Sequence, residues 1–203
     1  MQYISMAEKM NILGYVLIIF IIGVMLKIYF ESDAFNLKCI VSDVDGNKYC
    51  VRERPKLKLV ANLLATVTDK LKRLVKFAQK EYPDRENVKR LVKNFNPSKV
   101  SEILPTSKYT AYSEDKGKKL AFCTTTTKKG DNLIDENTLT FVGIHELGHV
   151  MSKTVGHNDE FWQNFKFLLD IAVKHKLYNP INYKEKPKQY CGMEITDNPY
   201  YDL

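Results

Sequence analysis

The sequence predicts an α+β protein with a single N-terminal transmembrane helix, followed by a compact domain in which helices pack on a small antiparallel sheet. Three observations support this fold class. Residues 12–26 form an uncharged apolar run, and alternating residues flank two Gly-containing turns. Several longer segments repeat apolar residues at spacings of three and four. Alternation is typical of strands, and the longer spacing is typical of amphipathic helices.

Residues 1–30 are predicted to form a membrane anchor. The run 12–26 carries no charge, and Lys27 lies close enough to the helix end for its amine to reach the headgroups. Continued to residue 30, the apolar stretch is about as wide as a bilayer. A cleaved signal peptide and a buried core helix are the alternatives. Bulky residues stand where a cleavage site needs small ones, and the run is apolar on every face, so we expect a retained single-pass anchor.

The charges that flank the anchor favour a cytosolic C-terminal domain. Lys9 and the terminal amine precede the apolar run, whereas Lys27, Lys38 and Lys48 follow it. Cytosolic segments carry the excess of Lys and Arg. The chain contains no N-x-S/T sequon, which agrees with this orientation.

Residues 31–54 are predicted to form a β-hairpin around Asp45-Gly46, a dipeptide typical of two-residue turns. Such a turn would place Cys50 opposite Val41. Cys39 would then lie diagonally from Cys50, which fits disulfide geometry poorly. We therefore expect free thiols at all four cysteines, which form no C-x-x-C pair: Cys39, Cys50, Cys123 and Cys191.

Residues 55–104 are predicted to form a basic helical segment. Apolar residues at helical spacing extend over 55–82, a second helix is expected at 86–95, and a short helical turn should end before Pro105. Between residues 48 and 99 there are fifteen Lys or Arg against five Asp or Glu. This block could bind nucleic acid or anionic lipid, since both reward clustered cations. The alternative is the solvated face of a helix.

Residues 105–203 are predicted to form the catalytic domain. It should contain two strands, two helices and an extended, proline-containing tail. The expected elements are strands at 109–113 and 119–125, a helix from the N-cap Asp135 to about 154, and a helix at about 159–176.

The candidate site is the sequence HELGH, in which His145 and His149 are four residues apart within a helical pattern. At this spacing both imidazoles lie on one face of the helix and can reach one metal ion. Glu146 lies beside them, where its carboxylate can take a proton from the attacking water. Catalytic zinc needs a third protein ligand. We expect this ligand to be His157, which follows Gly156, a residue suited to a turn after a helix.

These residues also have other possible interpretations. Asp159 or Glu160 could be the third ligand, because a carboxylate completes some zinc peptidase sites. The motif could also be a helix with two surface histidines and no metal. His175 is expected near a helix C-terminus, where a positive charge suits the helix dipole, so it is interpreted as structural. Phe161 and Trp162 are aromatic residues of a type found more often in a core than in a substrate pocket.

Residues 137–169 resemble the WLM and SprT-like zinc metallopeptidases, in which HExxH is followed by a third histidine and an aromatic-rich helix. The segments VDGNKYCVRERP, ANLLA, KLAFC and YCGMEITDNP are similar to metallopeptidase-like proteins of nucleocytoplasmic large DNA viruses. The resemblance implies a compact zincin-like domain, with His145, His149 and His157 as zinc ligands and Glu146 as general base. It also implies a virion or host-cell membrane as the location. The spacing to His157 is longer than in metzincins, and no Met-turn is evident.

The predicted function is hydrolysis of peptide bonds in a polypeptide substrate by zinc-activated water. The strand at 119–125 is the expected partner for an extended substrate. Tyr183 and Tyr190 are candidates for stabilising the oxyanion by residue type alone. The alternative is a non-catalytic, membrane-tethered protein that holds zinc for stability and binds nucleic acid or anionic lipid through residues 48–99.

Overall fold

The computed structural model describes residues 12–31 and 37–202. The first range is one helix and the second is one compact unit. In chain order the helices and strands are α1 (Ile12–Glu31), β1 (Leu37–Val41), β2 (Lys48–Arg52), α2 (Leu57–Glu81), α3 (Glu86–Asn94), β3 (Val100–Glu102), β4 (Ala111–Glu114), β5 (Lys119–Phe122), α4 (Glu136–Met151), α5 (Asp159–Lys174), β6 (Lys188–Tyr190) and β7 (Met193–Ile195), followed by a 3-10 turn at Pro199–Tyr201.

Helix α1 is apolar on all sides, and its side chains between residues 12 and 29 are almost all exposed. Among the described residues, Ile12–Tyr29 is the one stretch that is long and apolar enough to cross a membrane. A signal sequence near an N-terminus has the same properties. Residues 1–11 of the predicted anchor and residues 32–36 of the predicted hairpin lie outside the described ranges.

The main sheet has five strands in the order β1-β2-β3-β5-β4. Strand β3 pairs in parallel with both β2 and β5, whereas the β1–β2 and β4–β5 pairs are antiparallel. The α+β class is confirmed, but the expected antiparallel sheet is wrong because the sheet is mixed. Its central strand, Val100–Glu102, lies where a helical turn was predicted. At three residues, it is too short to show a periodic pattern.

Strands β1 and β2 form a hairpin, but the register predicted for it is wrong. Val41 pairs with Lys48, so that Cys39 lies directly opposite Cys50, and the two form a disulfide. The connection is a wider loop over residues 42–47, not a two-residue turn. The side chain of Asn62 in α2 accepts hydrogen bonds from Ser42 Oγ and from the backbone N–H of Asp43. Contacts from a helix that follows later in the chain therefore hold this loop.

Helix α2 packs its apolar stripe against α4, α5 and strand β2. The predicted stripe is confirmed, since its members from Val60 to Ala78 are buried: Val60, Leu64, Val67, Leu71, Leu74 and Ala78. Burying each Leu or Val stabilises the fold by about 1.5–3 kcal/mol before losses of entropy. The outer face of α2 is polar and carries the exposed side chains of Lys72, Arg73, Lys76 and Lys80.

A buried carboxylate, Glu102 of β3, holds the polar segment 124–132 against the sheet. Its oxygens accept hydrogen bonds from Arg52 Nε at 2.9 Å, Arg54 Nη2 at 2.7 Å and Thr124 Oγ1 at 2.6 Å. The two guanidinium groups also donate to the backbone carbonyls of Lys128 and Gly130. A buried charge needs such partners, so this surface loop is held in a fixed position.

The C-terminal tail, predicted to be extended, forms the hairpin β6–β7 instead. The backbone N–H of Cys191 donates to Thr125 O at 2.9 Å, and that of Gly192 donates to Thr126 O at 2.8 Å. A second disulfide joins Cys191 to Cys123 at the end of β5. The expectation of free thiols is therefore wrong for all four cysteines in the described residues.

Candidate metal centre

The HELGH sequence lies within helix α4. Asp135 is its N-cap, as predicted, and accepts a hydrogen bond from the backbone N–H of Thr138 at 2.9 Å. Most of the helix is buried, so neighbouring elements fix its position. At Gly148, within the motif, an added Cβ would lie 3.1 Å from Phe161 Cε2, so the glycine allows α5 to approach α4 closely.

The three predicted ligands converge. The Nε2 atoms of His145 and His149 lie 3.2 Å apart, those of His149 and His157 lie 3.2 Å apart, and those of His157 and His145 lie 3.0 Å apart. Three nitrogens bound to one tetrahedral zinc ion are about 3.3–3.4 Å from each other, given Zn–N distances of about 2.0–2.1 Å. The donor set therefore fits a zinc ion, with His145 and His149 half-buried and His157 exposed.

The charge states of the histidines also suit metal binding. Burial, with smaller contributions from the nearby His149 and His157, lowers the pKa of His145 to about 3. Burial likewise lowers the pKa of His149 to about 4, with smaller effects from His157 and Lys116. Both imidazoles are thus neutral at pH 7, which is the form that binds a metal.

His157 lies in the irregular segment 152–158, and the first turn of α5 fixes that segment. The carboxylate of Glu160 accepts hydrogen bonds from Lys153 N at 2.9 Å and from Thr154 N at 3.2 Å and Oγ1 at 2.8 Å. Glu160 is thereby occupied, and Asp159 is not part of the metal-competent group either. Neither alternative third ligand is brought to the site, whereas His157 is.

Two aromatic residues of α5 surround the histidines. The Phe161 ring is fully buried, and its centroid lies 4.8 Å from that of His145, 4.2 Å from that of His149 and 4.7 Å from that of His157. This apolar ring therefore packs against all three histidines. Trp162 is 42% exposed, and its indole N–H donates to His157 O at 3.1 Å. By residue type, a core position was expected for both residues. Phe161 lies in the core, whereas Trp162 does not.

Glu146 lies beside the histidines and is 6% exposed. Burial raises its pKa to about 8. Burial raises the pKa of the Tyr190 phenol in β6, and the charge of the nearby Glu146 raises it further. The Tyr190 hydroxyl donates to Thr110 O at 3.1 Å and so connects the second hairpin to the start of β4.

A cleft of about 990 Å³ lies above the histidines and Glu146. Strand β4 forms one wall, and the segment 155–157, Trp162 and the second hairpin form the rest. Within the described residues, strand β4 is the end strand of the sheet and pairs on one side only. The predicted substrate-pairing strand is therefore wrong: β5 is interior and pairs with both β3 and β4. Among the described strands next to β5, it is β4 that has backbone groups left unpaired on one edge.

Two residues considered from the sequence lie elsewhere. His175 caps the C-terminus of α5, stacks on Phe77 with ring centroids 3.7 Å apart, and has its Nε2 atom 2.5 Å from Glu81 Oε1. This position agrees with a structural role. Tyr183 is fully buried against Phe141, with ring centroids 5.0 Å apart, and does not line the cleft.

Comparison with solved structures gives two remote likenesses. A crystal structure of Wss1 from Saccharomyces cerevisiae superposes with a TM-score of 0.45 and 15% identity, over 62% of this chain and 88% of that chain. A crystal structure of a Wss1 mutant from S. pombe gives a TM-score of 0.40 and 21% identity, over 62% and 96% of the two chains. At these scores, neither likeness establishes a family or an activity.

No protein-family model matches the chain. An uncharacterized protein of Acanthamoeba polyphaga mimivirus is 27% identical over 184 residues, which cover 88% of this chain and 93% of that protein. Uncharacterized proteins of Invertebrate iridescent virus 3 and Invertebrate iridescent virus 6 are 37% and 40% identical over 78 and 77 residues. These matches span 46% and 41% of those two proteins. The expected similarity to viral proteins is confirmed: over most of its length, this chain is similar to the mimivirus protein.

Proposed function

We propose that this chain is a zinc-dependent peptidase that hydrolyses peptide bonds with water. The observation that carries the proposal is the meeting of three imidazole nitrogens, 3.0–3.2 Å apart, beside a buried glutamate at the base of a large cleft. A purely structural zinc site is closed by four protein ligands. Among the described residues, the metal-competent group here has three, and all come from histidine.

In this proposal His145, His149 and His157 hold the ion, which when bound acidifies water and polarises the scissile carbonyl. Glu146 takes the proton from the attacking water and then delivers it to the leaving amine. Its burial alone favours the protonated carboxyl. A cation held by the adjacent histidines favours the ionised form, which is the form that a base requires.

The polypeptide substrate would bind as an added strand on the free edge of β4. All four residues of β4 line the cleft, and strand addition provides backbone hydrogen bonds without demanding a particular sequence. Tyr190 fixes the start of the strand through Thr110 O. The edge would therefore hold a peptide backbone across the three histidines.

The test compares the wild-type chain with Glu146→Gln for bound zinc and for cleavage of an unfolded protein. Glutamine keeps the shape of the side chain but removes the base. We expect unchanged zinc content and a loss of about 10²- to 10⁴-fold in hydrolysis, the usual worth of a general base. Loss of zinc in parallel with activity would contradict this role for Glu146.

We also propose that α1 is a retained membrane anchor. Its side chains are apolar on every face, which suits lipid better than water. Lys27 is the one charged side chain between residues 12 and 29, and it lies near the end of the helix. The chain would then act on substrates that come close to a membrane.

A further inference from the structure

The exposed apolar side chains of the globular unit are concentrated at the cleft. Within residues 37–202, eight large apolar side chains are strongly exposed. Four of them line the cleft: Tyr109, Val155, Trp162 and Met193. Exposed apolar residues are normal when scattered, but a cluster around one cavity is typical of a binding site.

These residues come from two different walls of the cleft. Val155, which is 87% exposed, and Trp162 flank His157 in one wall. Tyr109 and Met193 belong to the other wall. Tyr109 precedes Thr110 in the chain and Met193 follows shortly after Tyr190, and the Tyr190 hydroxyl donates to Thr110 O. The floor continues this surface, because Phe141 and Val142 of α4 precede His145 by about one helical turn and also line the cleft.

The charges of the cleft oppose a polyanionic ligand. Besides Glu146, four carboxylates line it: Glu114, Asp115, Glu194 and Asp197. The one lysine in the lining, Lys116, directs its amine to the carbonyls of Ser152 at 3.1 Å and Thr154 at 2.6 Å. Nucleic acid needs free cations along its path. The cleft instead combines apolar surface with the unpaired backbone of β4, and both features suit an extended peptide.

We propose that the cleft selects an extended polypeptide segment with large apolar side chains on both sides of the bond presented to Glu146. This inference rests on the proposed peptidase function and adds the substrate class. Val155 and Trp162 contact the apolar side chain on one side of the histidines. Met193 and Tyr109 contact the one on the other side.

Binding can be measured without hydrolysis, because Trp162 is the sole tryptophan of the chain. The probe is a pair of short blocked peptides that are identical except for Leu-Leu or Asn-Asn at their centre. Each is titrated into the zinc-loaded, full-length Glu146→Gln chain in detergent while Trp162 emission is recorded. We expect the Leu-Leu peptide to shift the emission and to bind at least about tenfold tighter, the usual discrimination of an apolar pocket.

Matched variants test which residues of the cleft bind the Leu-Leu peptide. Val155→Ser and Met193→Ser should each weaken binding of the Leu-Leu peptide several-fold and leave the Asn-Asn peptide unchanged. Val44→Ser is the control, because Val44 is 53% exposed but lies outside the cleft. Equal affinity for the two peptides, or equal effects of all three variants, would overturn the inference even if the wild-type chain cleaves both. Selective binding without any cleavage by wild type would instead overturn the peptidase function and leave the apolar site standing.

Discussion

At the scale of single residues, His157 depends on its neighbours more than the other two ligands do. His145 and His149 are carried by a buried helix, whereas His157 lies in a segment without regular structure. Glu160 and Trp162 fix that segment through hydrogen bonds to Lys153, Thr154 and His157 itself. Hydrogen bonds from the backbone of Lys153, together with those from Thr154, hold the pKa of Glu160 below its ordinary value, so its carboxylate stays ionised to a lower pH than an ordinary glutamate does.

Glu160→Ala should therefore lower zinc affinity although Glu160 is not a ligand. Residues that orient metal ligands typically contribute about ten- to hundred-fold in affinity. Competition with a chromophoric chelator measures the zinc dissociation constant directly. Asp159→Ala is the matched control, since Asp159 precedes it and is exposed. Equal dissociation constants for the two variants would show that the segment needs no support from Glu160.

His157→Ala should weaken zinc binding by more than the roughly hundredfold effect of a supporting residue, because it removes a ligand. His175→Ala is the comparison. His175 stacks on Phe77 at the far end of α5, so its loss should alter stability without altering metal affinity. Metal affinities that fall together in both variants would argue against His157 as the third ligand.

At the scale of elements, the second hairpin forms a wall of the cleft, and the Cys123–Cys191 disulfide holds it in place. The disulfide joins residues separated by 68 positions, compared with 11 for Cys39–Cys50. Closing a longer loop removes more entropy from the unfolded chain. The two disulfides should therefore differ both in stabilisation and in their effect on the site.

Replacing Cys123 and Cys191 together by Ala should lower the free energy of unfolding by about 4 kcal/mol, against about 3 kcal/mol for Cys39 and Cys50. Urea denaturation of the full chain in detergent gives both values. Peptide hydrolysis should fall in the first double variant and persist in the second, because only the first disulfide holds a cleft wall. Equal activity in the two variants would mean that the hairpin keeps its position without the covalent link.

The elements also show what sequence reasoning could and could not predict. Helix α4 carried two independent signals, its N-cap Asp135 and its helical apolar spacing, so the first two ligands could be placed from local rules. Strand β3 and the second hairpin consist of strands of three residues. The strands that pair with β3 are distant in the chain, and so are the groups that hold the second hairpin to the rest of the fold, as the hydrogen bond from Cys191 to Thr125 illustrates. Local patterns cannot show such pairings, and the open edge of β4 depends on them.

At the scale of the whole molecule, the two disulfides bear on the compartment. Disulfides are typical of oxidising environments, whereas the expected cytosolic orientation rested on a small difference in flanking lysines. The disulfides are the stronger argument. We therefore propose that the globular unit lies on the oxidising side of the membrane. Alkylation of the intact chain before and after reduction would test this, because free thiols before reduction would support the cytosolic side.

The anchor itself can be tested by extraction. The full chain should stay with membranes through an alkaline carbonate wash, whereas a fragment that begins at Glu31 should be released. An apolar span gains a few tenths of a kcal/mol for each Leu, Ile, Val or Phe, and a central charge costs about 3 kcal/mol. Release of both proteins in the same wash would mean that α1 is peripheral, and a mature N-terminus beyond Leu26 would mean that it is a cleaved signal.

High salt separates insertion from surface attraction in the same experiment. The exposed cations of α2, including Lys72, Lys76 and Lys80, could hold the fragment on anionic lipid. Salt shortens the range of such attraction and leaves insertion unaffected. We expect high salt to release the fragment and not the full chain. A fragment that binds anionic vesicles no better than neutral ones would remove the lipid-binding role proposed for this face.

The unpaired edge of β4 has a consequence for which proteins could be cut. A client segment can join that edge only with free backbone N–H and C=O groups, and in a folded protein these groups are already bonded. The segment must first leave its own helix or sheet. The free energy of that opening ranges from near zero at a frayed terminus to the full stability of a core strand. Under the proposed strand addition, the stability of the client would set the rate of cleavage, and well-folded neighbours at the same membrane would be spared.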